Sequence, residues 1–166
     1  PSRDGAVTRY AVPGEKLSVT VTETICNDDA TGMPHPYRVA VDIRGTARNG
    51  CGGEPASLLA GEWVVEDIDN TGVIDNSHAT LSFSDDGRLA GTGSCNNYSA
   101  PYTLGGEGLS IGPAAATMKA CAPALMNQER KFFDSLAKTG RFEIDETGAL
   151  ILSGPGGARI LARRTD

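Results

Sequence analysis

Apolar and polar residues alternate along short runs of this chain, and only one segment has helical periodicity. In residues 16–26 every second side chain from Leu17 to Val21 is apolar, and the pattern returns in residues 37–43. Alternation with a period of two is typical of a β-strand with one buried face. The 21 glycines and 9 prolines supply turns between such runs, while only 5% of the residues are aromatic. These features predict a small, turn-rich, mainly β protein.

A glycine- and proline-rich break, CGGEP at 51–55, divides the chain into two segments. Before the break, the runs 16–26 and 37–43 predict a long β-hairpin. A hairpin alone is only marginally stable in water, so residues 1–54 are interpreted as the C-terminal part of a larger module. Residues 55–166 are interpreted as a second domain.

The second segment combines strands with a single helix. Strands are predicted at residues 61–69, 79–83, 88–95, 96–104, 141–145, 150–154 and 158–164. The period becomes helical in residues 123–139, where a buried stripe is predicted for Leu125, Phe132, Phe133 and Leu136. The outward positions of this helix, interpreted as solvent-exposed, are Gln128, Glu129, Arg130 and Lys131. Strands, one helix and further strands form an α+β pattern in which the helix covers a sheet or plugs a barrel.

Charge and hydropathy exclude several classes of partner. The chain has 15 basic and 21 acidic residues, a net charge of −6 and a pI near 4.9. Such a balance disfavours nucleic acid and anionic membrane surfaces, which bind proteins through basic side chains. No stretch approaches the ~18 apolar residues of a membrane span. The sequence begins at Pro1 without an initiator methionine, so we expect that upstream sequence has been removed.

Four cysteines, at positions 26, 51, 95 and 121, permit three disulfide pairings. The break at 51–55 separates the first two from the last two, so local pairing, Cys26–Cys51 and Cys95–Cys121, avoids crossing the linker. Four reduced, buried thiols are the alternative. A zinc site lacks the usual paired C-x-x-C spacing, and no metal or cofactor is predicted. An even cysteine count in a small acidic protein fits an oxidising compartment.

Three ordered motifs after the break resemble the META domain family of HslJ-like heat-shock and envelope proteins. They are G-x-W at 61–63, the glycine-rich run that ends in GSCNNY at 93–98, and TMKAC at 117–121, just before the helix. The resemblance covers about 56–164. Residues 16–53 are similar to the C-terminal part of an uncharacterised bacterial envelope-lipoprotein module.

The resemblance implies a small, partly open β-barrel with one covering helix and a location in the periplasm or cell envelope. A lipid anchor in the full-length precursor is one form of that location. The family has no established catalytic residues to carry over, so the resemblance does not imply an enzyme.

The GSCNNY motif has a structural and a functional interpretation. Gly87, Gly91 and Gly93 suit bulges or close backbone approach in a curved barrel, and the asparagines suit hydrogen bonds to backbone groups. Alternatively, four side chains line a barrel mouth and contact a peptide or glycan: Asn96, Asn97, Tyr98 and Tyr102. The structural interpretation is preferred.

Other candidate sites are weaker. His35 lies between two prolines at the hairpin tip, where His35 and Tyr37 are candidate partner contacts. Ser94, His78 and Asp75 supply the residue types of a hydrolase triad, but no G-x-S-x-G elbow is present. The carboxylates Asp28, Asp29 and Asp42 lack the ligand pattern of an EF-hand loop, so a solvated turn is preferred to a calcium site.

Two functions remain from the sequence. The preferred one is a non-catalytic bacterial envelope protein that binds a peptide, protein or lipid and contributes to stress tolerance. The alternative is an inhibitor of an envelope-directed hydrolase such as lysozyme, whose positive charge would complement this acidic domain. The apolar hairpin must pack on the second domain, remain exposed, or join a second copy, and the last arrangement would form a homodimer.

Overall fold

The computed structural model of the chain describes residues 1–165. It divides into two compact units, Pro1–Leu58 and a second unit that begins at Leu59. A four-residue helix, α1 (Ala56–Leu59), spans the boundary. The sequence predicts a division between residues 54 and 55, just before this helix.

The first unit is built around a five-stranded antiparallel sheet. The strands of this unit are β1 (Ser2–Asp4), β2 (Val7–Val12), β3 (Leu17–Thr22), β4 (Cys26–Asn27), β5 (Pro34–His35), β6 (Tyr37–Ile43) and β7 (Thr46–Gly52). The sheet order is β1-β2-β3-β6-β7, and β4 pairs separately with β5. The predicted hairpin is therefore the centre of a wider sheet, formed by β3 and β6.

One face of this sheet is apolar and half exposed. Directly paired residues share a face, and Val19 lies between Tyr10 on β2 and Val41 on β6. Leu17 pairs with Ile43 in the same way, and the Ile43 side chain is 52% exposed. Among the described residues of β2, β3, β6 and β7, none is fully buried. The homodimer expected through this segment stays a prediction.

Both predicted disulfides are present. Cys26–Cys51 joins β4 to β7 within the first unit, with 5.4 Å between the Cα atoms. Cys95–Cys121 lies within the second unit, with 6.0 Å between the Cα atoms. The alternative of four reduced thiols is therefore wrong. In the chain-entropy model, closing loops of this length stabilises each unit by about 3–4 kcal/mol.

The second unit is a nearly closed, barrel-like antiparallel sheet, which confirms the predicted fold class. Its strands are β8 (Gly61–Ile68), β9 (Thr80–Ser84), β10 (Arg88–Thr92), β11 (Asn97–Gly105), β12 (Gly108–Ile111), β13 (Ala115–Ala116), β14 (Arg141–Ile144), β15 (Leu150–Ser153) and β16 (Arg159–Arg164). The main path runs β12-β11-β10-β9-β8-β16-β15-β14, and β13 pairs with β11 off this path. A 3₁₀ turn, Pro155–Gly157, joins β15 to β16.

The main helix, α2 (Pro123–Ala137), packs on this sheet and begins at the predicted proline. Phe132 and Leu136 are fully buried, while Leu125 and Phe133 are half-buried. The interpretation of Gln128 and Glu129 as solvent-exposed is wrong, because both are buried. No helix within residues 1–165 is long and apolar enough to cross a membrane.

The tryptophan of the G-x-W motif anchors the start of the second unit. The Trp63 side chain is 1% exposed, and its indole Nε1–H donates to the carbonyl oxygen of Leu59 at 2.9 Å. On the adjacent strand Arg164 lies over the ring, 4.6 Å from its centroid. Since this is the only tryptophan in the chain, its fluorescence reports on the folding of the second unit.

Candidate functional site

The GSCNNY motif forms the turn after β10 and the first two residues of β11, and it lies directly against helix α2. Ser94 has a φ of 97°, which turns the chain sharply at this point. A Cβ atom on Gly93 would lie 2.8 Å from the Glu129 Oε2 atom and 2.8 Å from the Phe133 ring. The helix therefore packs so close to the turn that a larger residue at position 93 would displace the Glu129 or the Phe133 side chain.

A buried carboxylate from α2 binds the backbone of this turn. Glu129 Oε2 accepts hydrogen bonds from the backbone N–H groups of Cys95 at 2.9 Å and Asn96 at 2.6 Å. Its Oε1 atom accepts a third bond from Asn96 Nδ2 at 2.8 Å. The side chain is only 7% exposed. Two successive N–H groups that point to one anion form a nest, and here the chain's own carboxylate occupies it.

Asn96 continues this network to the TMKAC segment. Its Oδ1 atom accepts from Thr117 Oγ1 at 2.9 Å and from the backbone N–H of Lys119 at 2.7 Å. The Cys95–Cys121 disulfide fastens the same segment two residues further along. We call the set Gly93–Asn96, Thr117–Cys121 and Glu129 the motif junction. The junction joins the two most specific sequence motifs to the helix.

Gln128, the neighbour of Glu129, binds a second loop. Its Oε1 atom accepts from the backbone N–H of Ile74 at 2.8 Å, and its Nε2 group donates to the hydroxyls of Ser77 and Ser94 at 2.9 Å each. Gln128 and Glu129 thus hold the loop between β8 and β9 and the turn between β10 and β11. Buried polar groups satisfied in this way fix the position of the helix on the sheet.

Tyr98 fills the space between the sheet and the helix. Its hydroxyl donates to the carbonyl oxygen of Thr80 at 2.8 Å, and its ring makes edge-on contacts with Phe132 and Phe133. Burial raises the pKa of the Tyr98 hydroxyl far above its usual range. Gly91 pairs with Tyr98 across the ladder, and a Cβ there would lie 2.3 Å from the same Thr80 oxygen.

A second feature, the seam of the barrel, lies where the sheet fails to close. Among residues 1–165, β12 and β14 form the two ends of the sheet path, with no ladder between them. One backbone hydrogen bond joins the ends, from the Leu109 N–H to the Gly140 oxygen at 3.1 Å. Gly108, with a φ of 126°, approaches so closely that a Cβ would lie 2.1 Å from that oxygen. The seam is therefore tight at Gly108.

A groove runs beside the tight point. It has a volume of about 480 Å³ and is lined by residues 103–110 of the β11–β12 hairpin and by Thr139 and Gly140. The lining mixes backbone groups, the half-buried Leu104 and the exposed Glu107. From the sequence, GGEG at 105–108 indicates only a turn. The groove depends on the meeting of β12 with β14, which strand patterns do not predict.

A protein-family model matches the part of the chain that forms the second unit. The model of the META domain matches residues 56–166, which is most of the chain and includes the whole of the second unit. The chain belongs to the META domain family. Comparison of this META-domain protein with curated proteins gave no match.

Solved structures share the fold of the META domain. An NMR structure of a protein from Burkholderia xenovorans is 23% identical, with a TM-score of 0.54 over 68% of this chain and 88% of that chain. A second NMR structure is 20% identical, with a TM-score of 0.54 over 68% and 95% of the two chains. A DUF4847 family protein from Bacteroides vulgatus is 14% identical, with a TM-score of 0.50 over 68% and 98%. Identities this low show the fold alone.

The structure distributes the four predicted mouth residues over different environments. Asn96 and Tyr98 are buried in the packing between sheet and helix, and Asn97 is exposed. Tyr102 is half-buried, and its hydroxyl donates to the Ser84 oxygen at 2.8 Å. Partial burial, together with the carboxylates of the adjacent turn, raises the pKa of Tyr102. The bonds of Asn96 and Tyr98 match the structural interpretation of the motif.

Most of the remaining candidates belong to the first unit, whereas Ser94 lies in the junction of the META domain. In the first unit, the Nδ1 atom of His35 is 2.9 Å from the Gly53 oxygen, and Tyr37 is exposed. Asp28 accepts three hydrogen bonds, two of them from Thr31, and these bonds lower its pKa. Ser94 accepts a bond from Gln128. Within residues 1–165, no group of three or more His, Cys, Asp or Glu residues is placed to hold a metal ion.

Proposed function

We propose that this META-domain protein is a non-catalytic component of the bacterial cell envelope that binds an extended peptide segment along its seam. The observation that carries the proposal is the pair of sheet ends, β12 and β14, that lie beside each other without a ladder. Exposed strand edges present rows of backbone donors and acceptors to an added strand. Main-chain pairing of this kind is a common mode of peptide recognition.

The backbone direction along β12 supports this mode. Leu109 directs its N–H to the seam, whereas Gly112 donates to Pro101 on the β11 side. Because alternate residues of an antiparallel strand point their backbone groups to opposite edges, Ile111 faces the seam as Leu109 does. Because the Leu109 N–H already donates to the Gly140 oxygen, an added strand would pair with this edge at Ile111, and the groove would receive side chains that point toward Leu104 and Glu107.

Two further features support the proposal, one for the envelope location and one for a peptide partner. Both disulfides fit an oxidising compartment, in which small domains are commonly stabilised by such bonds. The net charge of −6 disfavours polyanionic partners and leaves peptides as suitable ones. A contribution to stress tolerance rests on membership of the META family.

The proposal is tested with the full chain and a pool of unstructured ten-residue peptides of alternating apolar and polar residues. We expect the amide chemical shifts of residues 108–111 and 140–144 to change when a peptide binds. The matched control uses two N-methylated versions of a binding peptide. In one version the methyl groups block the N–H groups along the edge that would pair with the protein, and in the other they block those along the opposite edge. Methylation of the pairing edge should weaken binding at least ~10-fold, since each lost hydrogen bond costs ~1 kcal/mol, while methylation of the other edge should not.

Two results would contradict the proposal. The first is a pool in which no peptide shifts these amides. The second is binding that both methylated peptides retain, because side chains alone would then explain recognition.

A further inference from the structure

The three methionines of the chain differ sharply in exposure. Met118, in the TMKAC segment, is 98% exposed. Met33 in the first unit is 8% exposed, and Met126 on α2 is half-buried. A methionine side chain is apolar, so full exposure forgoes the free energy that burial would provide. Burial of the Met118 side chain therefore contributes nothing to the stability of the unit.

Hydrogen bonds on both sides of Met118 hold it in this position. The Thr117 N–H donates to the Asn97 oxygen at 3.0 Å, and the Thr117 hydroxyl donates to Asn96 Oδ1. On the other side, the Lys119 N–H donates to that same Oδ1 atom. Asn96 is itself fixed by Glu129. The backbone of residue 118 is therefore held between two anchored neighbours, with its side chain in solvent.

We propose that Met118 is an oxidation site, at which the domain consumes hydroperoxides without loss of its fold. The sulfur lone pair of the thioether attacks one oxygen of hydrogen peroxide. An S–O bond forms, the O–O bond breaks, and the second oxygen leaves as water after proton transfer. The sulfur loses two electrons and becomes a sulfoxide, and the peroxide is reduced.

The surroundings make this site different from the other two methionines. A sulfoxide is polar and disrupts apolar packing where the sulfur is buried. Met118 has almost no surface in contact with the protein, so its sulfoxide disturbs no packing. The anchoring bonds involve Thr117, Lys119 and Asn96, and none uses the thioether. The exposed sulfoxide also remains accessible to a methionine sulfoxide reductase.

The test treats the folded full chain with hydrogen peroxide and measures sulfoxide at each methionine by peptide mass spectrometry. Because oxidation follows exposure, Met118 should react at roughly the rate of a free methionine peptide and ~10-fold or more faster than Met33. Chain oxidised only at Met118 should melt at the temperature of the untreated chain, with Trp63 fluorescence as the readout. The Met118→Leu variant should lack the first oxidation event, which adds one oxygen to the wild-type chain.

Three results would overturn the proposal. One is oxidation of Met126 or Met33 at the rate of Met118. Another is a lower melting temperature of the chain oxidised at Met118 alone, because the thioether would then take part in the fold. The third is a Met118→Leu variant that gains its first oxygen as fast as the wild-type chain does.

Discussion

Replacing Glu129 with alanine is expected to destabilise the second unit by about 3 kcal/mol or more, because three donors lose their acceptor and each buried, unsatisfied donor costs about 1–3 kcal/mol. The donors are the N–H groups of Cys95 and Asn96 and the Asn96 side-chain amide. The measurement is urea unfolding followed by Trp63 fluorescence, which reports on this unit. The loss should appear as a lower midpoint.

Asp134→Ala is the matched control, since Asp134 is an exposed acidic residue on the same helix. Its effect should stay within about 0.5 kcal/mol. Glu129→Gln keeps the volume but turns one acceptor into a donor, so it should also be clearly destabilising. If Glu129→Ala unfolds at the same urea concentration as Asp134→Ala, the carboxylate does not hold the turn.

Replacing Gly91 with alanine is expected to destabilise the second unit by about 2–3 kcal/mol through overpacking. The new Cβ would lie 2.3 Å from the Thr80 carbonyl oxygen and 2.8 Å from the Thr80 Oγ1 atom. Since that carbonyl accepts the hydroxyl of Tyr98, Thr80 cannot move away without loss of a buried hydrogen bond. Trp63 fluorescence during urea unfolding again measures the change.

Gly106→Ala provides the comparison for this substitution. A Cβ on Gly106 meets no atom within 4 Å, so its effect should stay within about 0.5 kcal/mol. Equal midpoints for the two variants would show that β9 and β10 do not approach as closely as described.

Local patterns predicted the features that depend on local chemistry. Strict alternation from Leu17 to Val21 indicated β3, and the change of period after Pro123 indicated α2. The disulfides followed from the break at 51–55, because pairing within each segment avoids a bond that crosses it. Close approach at Gly91 and Gly93 was also expected, since an isolated glycine in a strand often marks such a contact.

Features that depend on distant partners escaped prediction. Strand β2 (VTRYAV) lacks a regular alternation of apolar and polar residues, because Thr8 and Arg9 are adjacent, and its place in the sheet comes from pairing with β1 and β3. Glu129 was misplaced because charged residues on a helix are mostly exposed, and its burial depends on N–H groups over thirty residues away in the chain. Only the assembled fold shows that these donors converge on α2.

The central claim is that the GSCNNY motif is a structural junction built around a buried carboxylate. Amide hydrogen exchange of the native full chain tests it most directly. The Cys95 and Asn96 amides should exchange as slowly as ladder amides of β10 and β11, because both bind Glu129 away from solvent. Exchange of these two amides at the rate of the exposed Gly106 turn would contradict the claim.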